Sequence, residues 1–163
     1  MRKNPERLAW VILLTSFFIC LGLTVAVPLA ARSFVLFSRE RQSISLEVER
    51  GPVRVTWAGR GEPIAIAEQR DAIPERTIVT TDFTEGRLVM HAPREDEPVV
   101  ASVQLYDNTE VVLASARSPR FSISQLPHQV MLEVRAGRVR INVSATEDRS
   151  TTAEVQTPHG AIT

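Results

Sequence analysis

The chain is poor in the residues that make disulfides, metal sites and catalytic centres. Cysteine occurs once, at Cys20, so no intrachain disulfide braces the fold and its stability must come from packing. The three histidines, His91, His128 and His159, are far apart, and none has a partner at ligand spacing. With no H-E-x-x-H and no cysteine cluster, a metal site is not expected, and the histidines read as surface or turn residues. There is no G-x-S-x-G nucleophile elbow, and the seven glycines form no phosphate loop. No catalytic, cofactor-binding or metal-binding residue is assigned on this basis, and an enzyme is not expected. Lysine is nearly absent too: Lys3 is the only one, and every other basic residue is arginine. Excess positive charge is also missing. Beyond residue 31 the chain holds 16 basic and 18 acidic residues, interspersed, which argues against nucleic acid as a partner.

What is present first is a hydrophobic run. Residues 8–31, LAWVILLTSFFICLGLTVAVPLAA, contain no charged side chain over 24 positions. As a helix they would span about 36 Å, enough to cross the hydrocarbon core of a bilayer with some tilt. Trp10 lies near one end and Phe34 and Phe37 just past the other, where aromatic rings favour the interface. Pro28 is a point where the helix could kink or end. A cleaved signal peptide is the alternative, but its apolar core would be about 7–15 residues. The best cut, after Ala26 with Thr24 two before it, is a poor match. Cys20 follows Phe17, Phe18 and Ile19, which excludes a lipoprotein cleavage site. Arg2, Lys3 and Arg7 precede the run, whereas Arg32, Arg39 and Arg41 follow it with Glu40. The charge rule therefore leans toward a cytoplasmic amino terminus, with the remainder outside the cytoplasm. The expected organisation is a tail at 1–7, a transmembrane helix at 8–31, a juxtamembrane linker or helix extension at 32–43, and one domain at 44–163.

From Ile44 the pattern changes to alternation. Ile44, Leu46 and Val48 alternate with Ser45, Glu47 and Glu49, and Val53, Val55 and Trp57 with Arg54 and Thr56. Side chains two apart share one face of a strand, so each run predicts one buried and one wet face. Similar runs occur at 76–81, 86–91, 99–106, 109–115, 119–124, 129–135, 138–144 and 152–157. Turn residues lie between them: Gly51-Pro52, Gly59-Arg60-Gly61, Asp107-Asn108, Ala136-Gly137 and Asp148-Arg149-Ser150. The acidic stretch 94–98 reads as a solvated loop, and Asn142-Val143-Ser144 as a chance glycosylation sequon within a strand. Many short strands at regular spacing indicate an all-β domain.

An internal repeat sharpens that reading. LEVERGPVRVTW, from Leu46, aligns without a gap with LEVRAGRVRINV, from Leu132, sharing six of twelve positions. Each copy is strand, glycine, strand, with Gly51 or Gly137 free to take positive φ where the strands meet. The expectation is a short-stranded β-solenoid-like or sandwich domain built from similar corners, preceded by one N-terminal transmembrane helix.

The stretch VQLYDNTEVVLASAR, then FSISQLPHQVMLEVRAGRVRINV, then AEVQTPHG resembles the FecR-like domain. Asp107-Asn108-Thr109 stands at that family's Asp-Gly-Thr-like turn, and asparagine tolerates the positive φ of the usual glycine. Gly137-Arg138-Val139-Arg140-Ile141 matches its Gly-Val-x-Val element, and Val155-Gln156-Thr157-Pro158-His159-Gly160 its Val-x-Thr-Pro-x-Gly segment. Gly51-Pro52-Val53-Arg54-Val55 and Ile78-Val79-Thr80-Thr81-Asp82 resemble its opening segments. The resemblance implies an extracytoplasmic β-domain on a single span, used in signalling. A seven-residue tail is too short to hold a sigma factor, so direct sigma-factor binding is not expected. The family's chain usually continues beyond the last segment, which suggests a fragment or a shortened member.

Arg54, Arg138 and Arg140 alternate with apolar residues and read as a solvated face neighbouring Glu47, Glu49 and Glu133. The sharper alternative is a site for an acidic partner, a polyanionic glycan or a protein loop. Trp57 has the inward phase of Val53 and Val55, which favours core over a sugar platform. The function expected is a non-catalytic sensor or envelope protein-interaction module, with binding residues unassigned. The alternative is an envelope scaffold that oligomerises through the β-domain.

Overall fold

The computed structural model describes residues 5–93, 98–144 and 149–162. Residues 94–97 of the acidic stretch, residues 1–4 of the tail and Asp148 of the last turn lie outside the described residues.

Helix α1 spans Pro5–Phe37, 33 residues, about 50 Å at 1.5 Å per residue. It runs through Pro28 and past Ala31 without ending. Its segment Leu8–Phe37 is long and apolar enough to cross a membrane, and its most apolar stretch is not buried by the protein. The hydroxyls at 15, 16 and 24 bond back along the helix: Thr15 to the Val11 carbonyl (2.7 Å), Ser16 to that of Leu13 (3.2 Å) and Thr24 to that of Cys20 (2.8 Å). Such back-bonding lets a polar side chain sit on an apolar helix surface.

Among the described residues twelve strands follow: β1 Arg39–Arg41, β2 Ser43–Arg50, β3 Val53–Thr56, β4 Ile64–Ile66, β5 Ile78–Thr81, β6 Glu85–His91, β7 Val99–Leu105, β8 Thr109–Pro119, β9 His128–Ala136, β10 Val139–Val143, β11 Thr151–Thr157 and β12 Gly160–Ile162. The larger sheet has the order β12-β11-β9-β8-β5-β3-β4, with β1 also paired to β8. The smaller has the order β10-β7-β6-β2. Neither closes into a barrel. Alternation explains the faces: in β9, Val130, Leu132 and Val134 are buried while Gln129, Met131 and Glu133 are only half covered. One apolar core takes residues from both sheets, including Ile44, Leu46, Val53, Val55, Leu88, Val103, Leu113 and Leu132.

The sheets are joined by corners in matching order. β2 passes to β3, β5 to β6, β7 to β8 and β9 to β10 through two or three residues each, always from one sheet to the other. Read across the domain, β9, β8, β5 and β3 in the larger sheet connect to β10, β7, β6 and β2 in the smaller. The repeat seen in the sequence is thus a pair of sheet-crossing corners, since neither β2 and β3 nor β9 and β10 pair with each other. Gly51 (φ 69°) and Gly137 (φ 85°) turn these corners, and Asn108 (φ 50°) turns the β7–β8 corner, one of the two between them. The corners bond to each other. Asn108 N–H donates to the Asp82 carbonyl (2.6 Å) and Tyr106 N–H to the Arg138 carbonyl (3.3 Å). The Thr109 hydroxyl accepts from Arg138 N–H (3.0 Å), and the Thr81 hydroxyl accepts from Thr109 N–H (3.1 Å).

Several sequence readings change. Residues 119–124 are not a strand: Pro119 ends β8 and the chain turns to meet the helix, with Arg120 N–H donating to the Ser38 carbonyl (3.0 Å) and the Ser124 hydroxyl to that of Leu36 (2.6 Å). The alternation of Phe121 and Ile123 is real but serves the helix junction. Of 32–43, residues up to Phe37 are helical and 39–41 form β1. The strand expected at 76–81 starts only at Ile78, because Arg76 has φ 63°. β4 and β12, three residues each, carry too little alternation to be legible in sequence. β8 is longer than expected, and its β5 side is taken over by β1 from Arg117 to Pro119. Between those partners the Glu75 carboxylate accepts from Ala116 N–H (3.3 Å) and from the Arg117 guanidinium (3.0 Å), and pairs with Arg41 (3.5 Å).

Candidate functional site

Strand edges are the places where a β-domain keeps unpaired backbone groups. Here one edge of the smaller sheet is covered. Leu46 of β2 exchanges two backbone bonds with Arg70 (2.7 and 2.8 Å), and Ile73 N–H donates to the Ile44 carbonyl (2.9 Å). The opposite edge, β10, has no such cover among the described residues. In the larger sheet the edge strands β4 and β12 are three residues each, whereas β10 presents five.

The ladder decides which groups β10 offers. Tyr106 N–H donates to the Arg138 carbonyl and Ser144 N–H to the Val100 carbonyl (3.0 Å). Antiparallel pairing alternates, so residues 138, 140, 142 and 144 bond toward β7, and Val139, Ile141 and Val143 turn their N–H and C=O outward. The same three side chains lie opposite buried Leu105, Val103 and Ala101, on the core-facing side. Edge hydrogen bonding and apolar surface therefore come from the same residues.

Beside this edge the domain has a step. β11 and β12 extend the larger sheet by two strands past β9, whereas the smaller sheet stops at β10. Ala153 and Val155 of β11 pair with Val130 and Leu132 of β9, and Ile162 of β12 with Val155, so all three face inward. Ile162 is nevertheless 67% exposed, and Val143 is 44% exposed. Two strands at about 4.8 Å spacing make a shelf roughly 10 Å wide. An extended segment paired to β10 would lay alternate side chains on this shelf.

The arginines singled out in the sequence are not one patch. Arg54 lies on β3 in the larger sheet and pairs with Asp82 (2.5 Å). Arg138 and Arg140 flank the open edge in the smaller sheet: the Arg138 guanidinium stacks on the Tyr106 ring at 4.6 Å, and Arg140 is exposed without an ion pair among the described residues. Glu47 and Glu49 pair instead with Arg87 (3.9 and 3.1 Å), and Glu133 with Arg135 (3.0 Å). The hydrogen bond to Glu133 outweighs burial and raises the Arg135 guanidinium above its ordinary value, so it stays charged.

Trp57 is half-buried against the core, and the Arg70 guanidinium lies 5.8 Å from its ring centre. The two line a hollow of about 340 Å³ with Arg60, Ile64, Ile66, Ala72 and Pro74. One face of the ring is thus approached by the protein's own cation.

His128 is not a surface residue. It is 5% exposed, and its Nδ1 lies 2.7 Å from the Ser118 hydroxyl, which is itself 1% exposed. Gln42 Nε2 donates to the same hydroxyl (3.1 Å), so this polar chain ties β8 and β9 to the residue after β1. His91 ends β6 and His159 is in the turn before β12. Among the described residues no three His, Cys, Asp or Glu side chains gather in a metal-binding group. The β10 edge escaped the sequence reading because its signal is topological: only the parallel β9–β11 pairing reveals an overhang.

Comparison with family models, with curated proteins and with solved structures finds no match for this chain.

Proposed function

We propose that this is a single-pass membrane protein whose two sheets form a sandwich of stacked corners, in the manner of a FecR-like domain, held outside the cytoplasm and acting by binding. The role is that of a non-catalytic sensor or envelope interaction module. The observation that carries it is the five-residue open edge of β10 beside the two-strand shelf of β11 and β12. Strand addition supplies main-chain hydrogen bonds for affinity and alternate side-chain positions for specificity. The fitting partner is an extended protein segment with apolar residues at every second position. Acidic residues on its other face would meet Arg138 and Arg140.

The scaffold reading is weaker for a geometric reason. Two copies paired β10 to β10 about a twofold axis would place β9 of the second copy where β11 of the first already lies. A photo-crosslinker at position 143 of the full chain in living cells tests both readings. A protein adduct that disappears with Ile141→Pro, in a chain that still melts cooperatively, supports strand addition. An adduct of twice the chain's mass supports the scaffold. No adduct at 143, or one that persists with Ile141→Pro, removes the proposed edge. An external phosphatase fused after residue 163 tests the orientation: activity only from a cytoplasmic reporter would overturn it.

A further inference from the structure

The junction between α1 and the β-domain carries more exposed apolar surface than a tether needs. The loop at 120–127 folds back on the end of the helix. The Ser124 hydroxyl caps the Leu36 carbonyl (2.6 Å), and the rings of Phe34 and Phe121 meet edge to face at 6.1 Å. Arg149 holds the loop from the other side, donating to the carbonyls of Phe121 (3.1 Å) and Ser122 (2.5 Å). Leu36, Phe37, Ile123 and Leu126, with Arg32 and Gln125, line a hollow of about 450 Å³. Ile123 is 70% exposed and Phe37 67%. A loop fixed by four hydrogen bonds, yet turning an isoleucine outward, is built to present it.

The apolar surface of α1 continues into this loop. If Leu8 marks one boundary of the hydrocarbon, Leu36 lies 28 residues along, about 42 Å away untilted. From that boundary the hydrocarbon and the far headgroup layer together span about 35–38 Å, and a helix tilt of about 25–30° brings Leu36 to that depth. The loop beside Leu36 then stands at headgroup depth, where apolar side chains dip into the acyl boundary and cations meet phosphates. Arg32, Arg39 and Arg120 supply the cations. Glu40 lies on the adjoining strand, and Arg41 is engaged by Glu75.

We infer that the loop at 120–126, with the last turns of α1, is a second membrane contact: Ile123 and Phe37 enter the interface of the bilayer that α1 crosses, and the flanking arginines meet anionic lipid headgroups. The β-domain is therefore seated on the membrane in one orientation. This rests on reading α1 as a retained span, and the test separates the two. The full chain is placed in vesicles of phosphatidylglycerol and phosphatidylethanolamine. An environment-sensitive fluorophore is attached at native Cys20, or at Ile123→Cys or Glu62→Cys in a Cys20→Ser background. Nitroxide lipids quench from a shallow or a deep acyl position. The inference expects deep quenching at position 20 and shallow quenching at 123 at least about twofold above that at 62, since interfacial side chains lie some 5–10 Å into the headgroup and acyl boundary. Quenching at 20 with 123 no different from 62 overturns the seated loop and leaves the span intact. No quenching at 20 overturns the span, and the inference with it.

Discussion

Gly137→Ala should be among the most damaging single-methyl changes in the domain. Gly137 has φ 85°, and a Cβ there would stand 2.4 Å from the Asn108 carbonyl oxygen, 2.4 Å from the Thr109 hydroxyl and 2.5 Å from Thr109 Cα. Two of those atoms are backbone, held by the corner bonds to Asp82 and Arg138, and cannot rotate away. The left-handed conformation alone costs a non-glycine residue about 1–2 kcal/mol. Pushing the neighbouring corner aside adds about 1–3 kcal/mol as overpacking. Displacing Thr109 separates its hydroxyl from Arg138 N–H, and an unpaired donor costs about 1–3 kcal/mol more. The sum is roughly 4–6 kcal/mol after overlap between these terms, against a total stability of about 5–15 kcal/mol for a domain. The assay is urea unfolding of the full chain in mild detergent, followed through Trp57 fluorescence in a Trp10→Phe background. With a slope of about 1–3 kcal/mol per molar, the midpoint should fall by more than about 1 M. Gly59→Ala is the control: φ is 81°, but nothing lies within 4 Å of the added Cβ, so it should lose only the conformational cost, about 1–2 kcal/mol. Gly51→Ala should fall between, because its obstacle at 2.9 Å is the Thr84 methyl, a side-chain atom that can move. If Gly137→Ala unfolds within about 1 kcal/mol of Gly59→Ala, the stacked-corner reasoning is wrong.

Thr109→Val keeps the shape but removes the acceptor for Arg138 N–H, and the same urea titration should show a loss of about 1–3 kcal/mol. Glu75→Ala removes the carboxylate that fills the gap between β5 and β1. It should cost about 1–3 kcal/mol by leaving Ala116 N–H unpaired, and hydrogen exchange at Gln42 and Arg120 should accelerate before that of β9. Prolines in β10 test its register. Ile141→Pro removes an outward N–H and should cost about 1–2 kcal/mol, mainly lost side-chain burial, whereas Asn142→Pro breaks the ladder to β7 and should cost about 3 kcal/mol or more. Equal losses for the two prolines would put the open edge on the wrong residues.

The strands that could be read from the sequence are those whose two faces meet different surroundings. β2, β3, β6, β7 and β9 each have one face in the core, so their alternation is strong. β1 is exposed at every residue, and β4 and β12 are too short for a period to show. The repeat around Gly51 and Gly137 was legible as similar corners, because both positions need positive φ. That the corners cross between sheets was not, since local sequence does not state which strand becomes the neighbour. Phe121 and Ile123 misled for a physical reason: Phe121 packs on Phe34 at the helix end while Ile123 is 70% exposed beside it, so their alternation marks no buried strand face. His128 misled in the opposite sense, because burial of a histidine depends on a partner, here Ser118, that no spacing rule connects to it.

The long strand β8 gives the two surfaces a fixed relation. At one end Thr109 is bonded to Arg138, where β10 begins. At the other, Pro119 pairs with Arg39 of β1, immediately after α1. Eleven residues at about 3.3 Å each separate these ends by roughly 35 Å. β9 runs back along β8, with Ala136 opposite Glu110 and Gln129 opposite Arg117. After the corner, β10 therefore starts at the end remote from the helix and returns toward it. An added strand would consequently lie along the axis joining the far corners to the helix junction, with one end near the loop at 120–127. Glu75→Ala, by loosening β1 from β8 without touching β10, should thus leave a position-143 crosslink intact while lowering the shallow-lipid quenching at position 123. Loss of the crosslink instead would show that the edge depends on the seat.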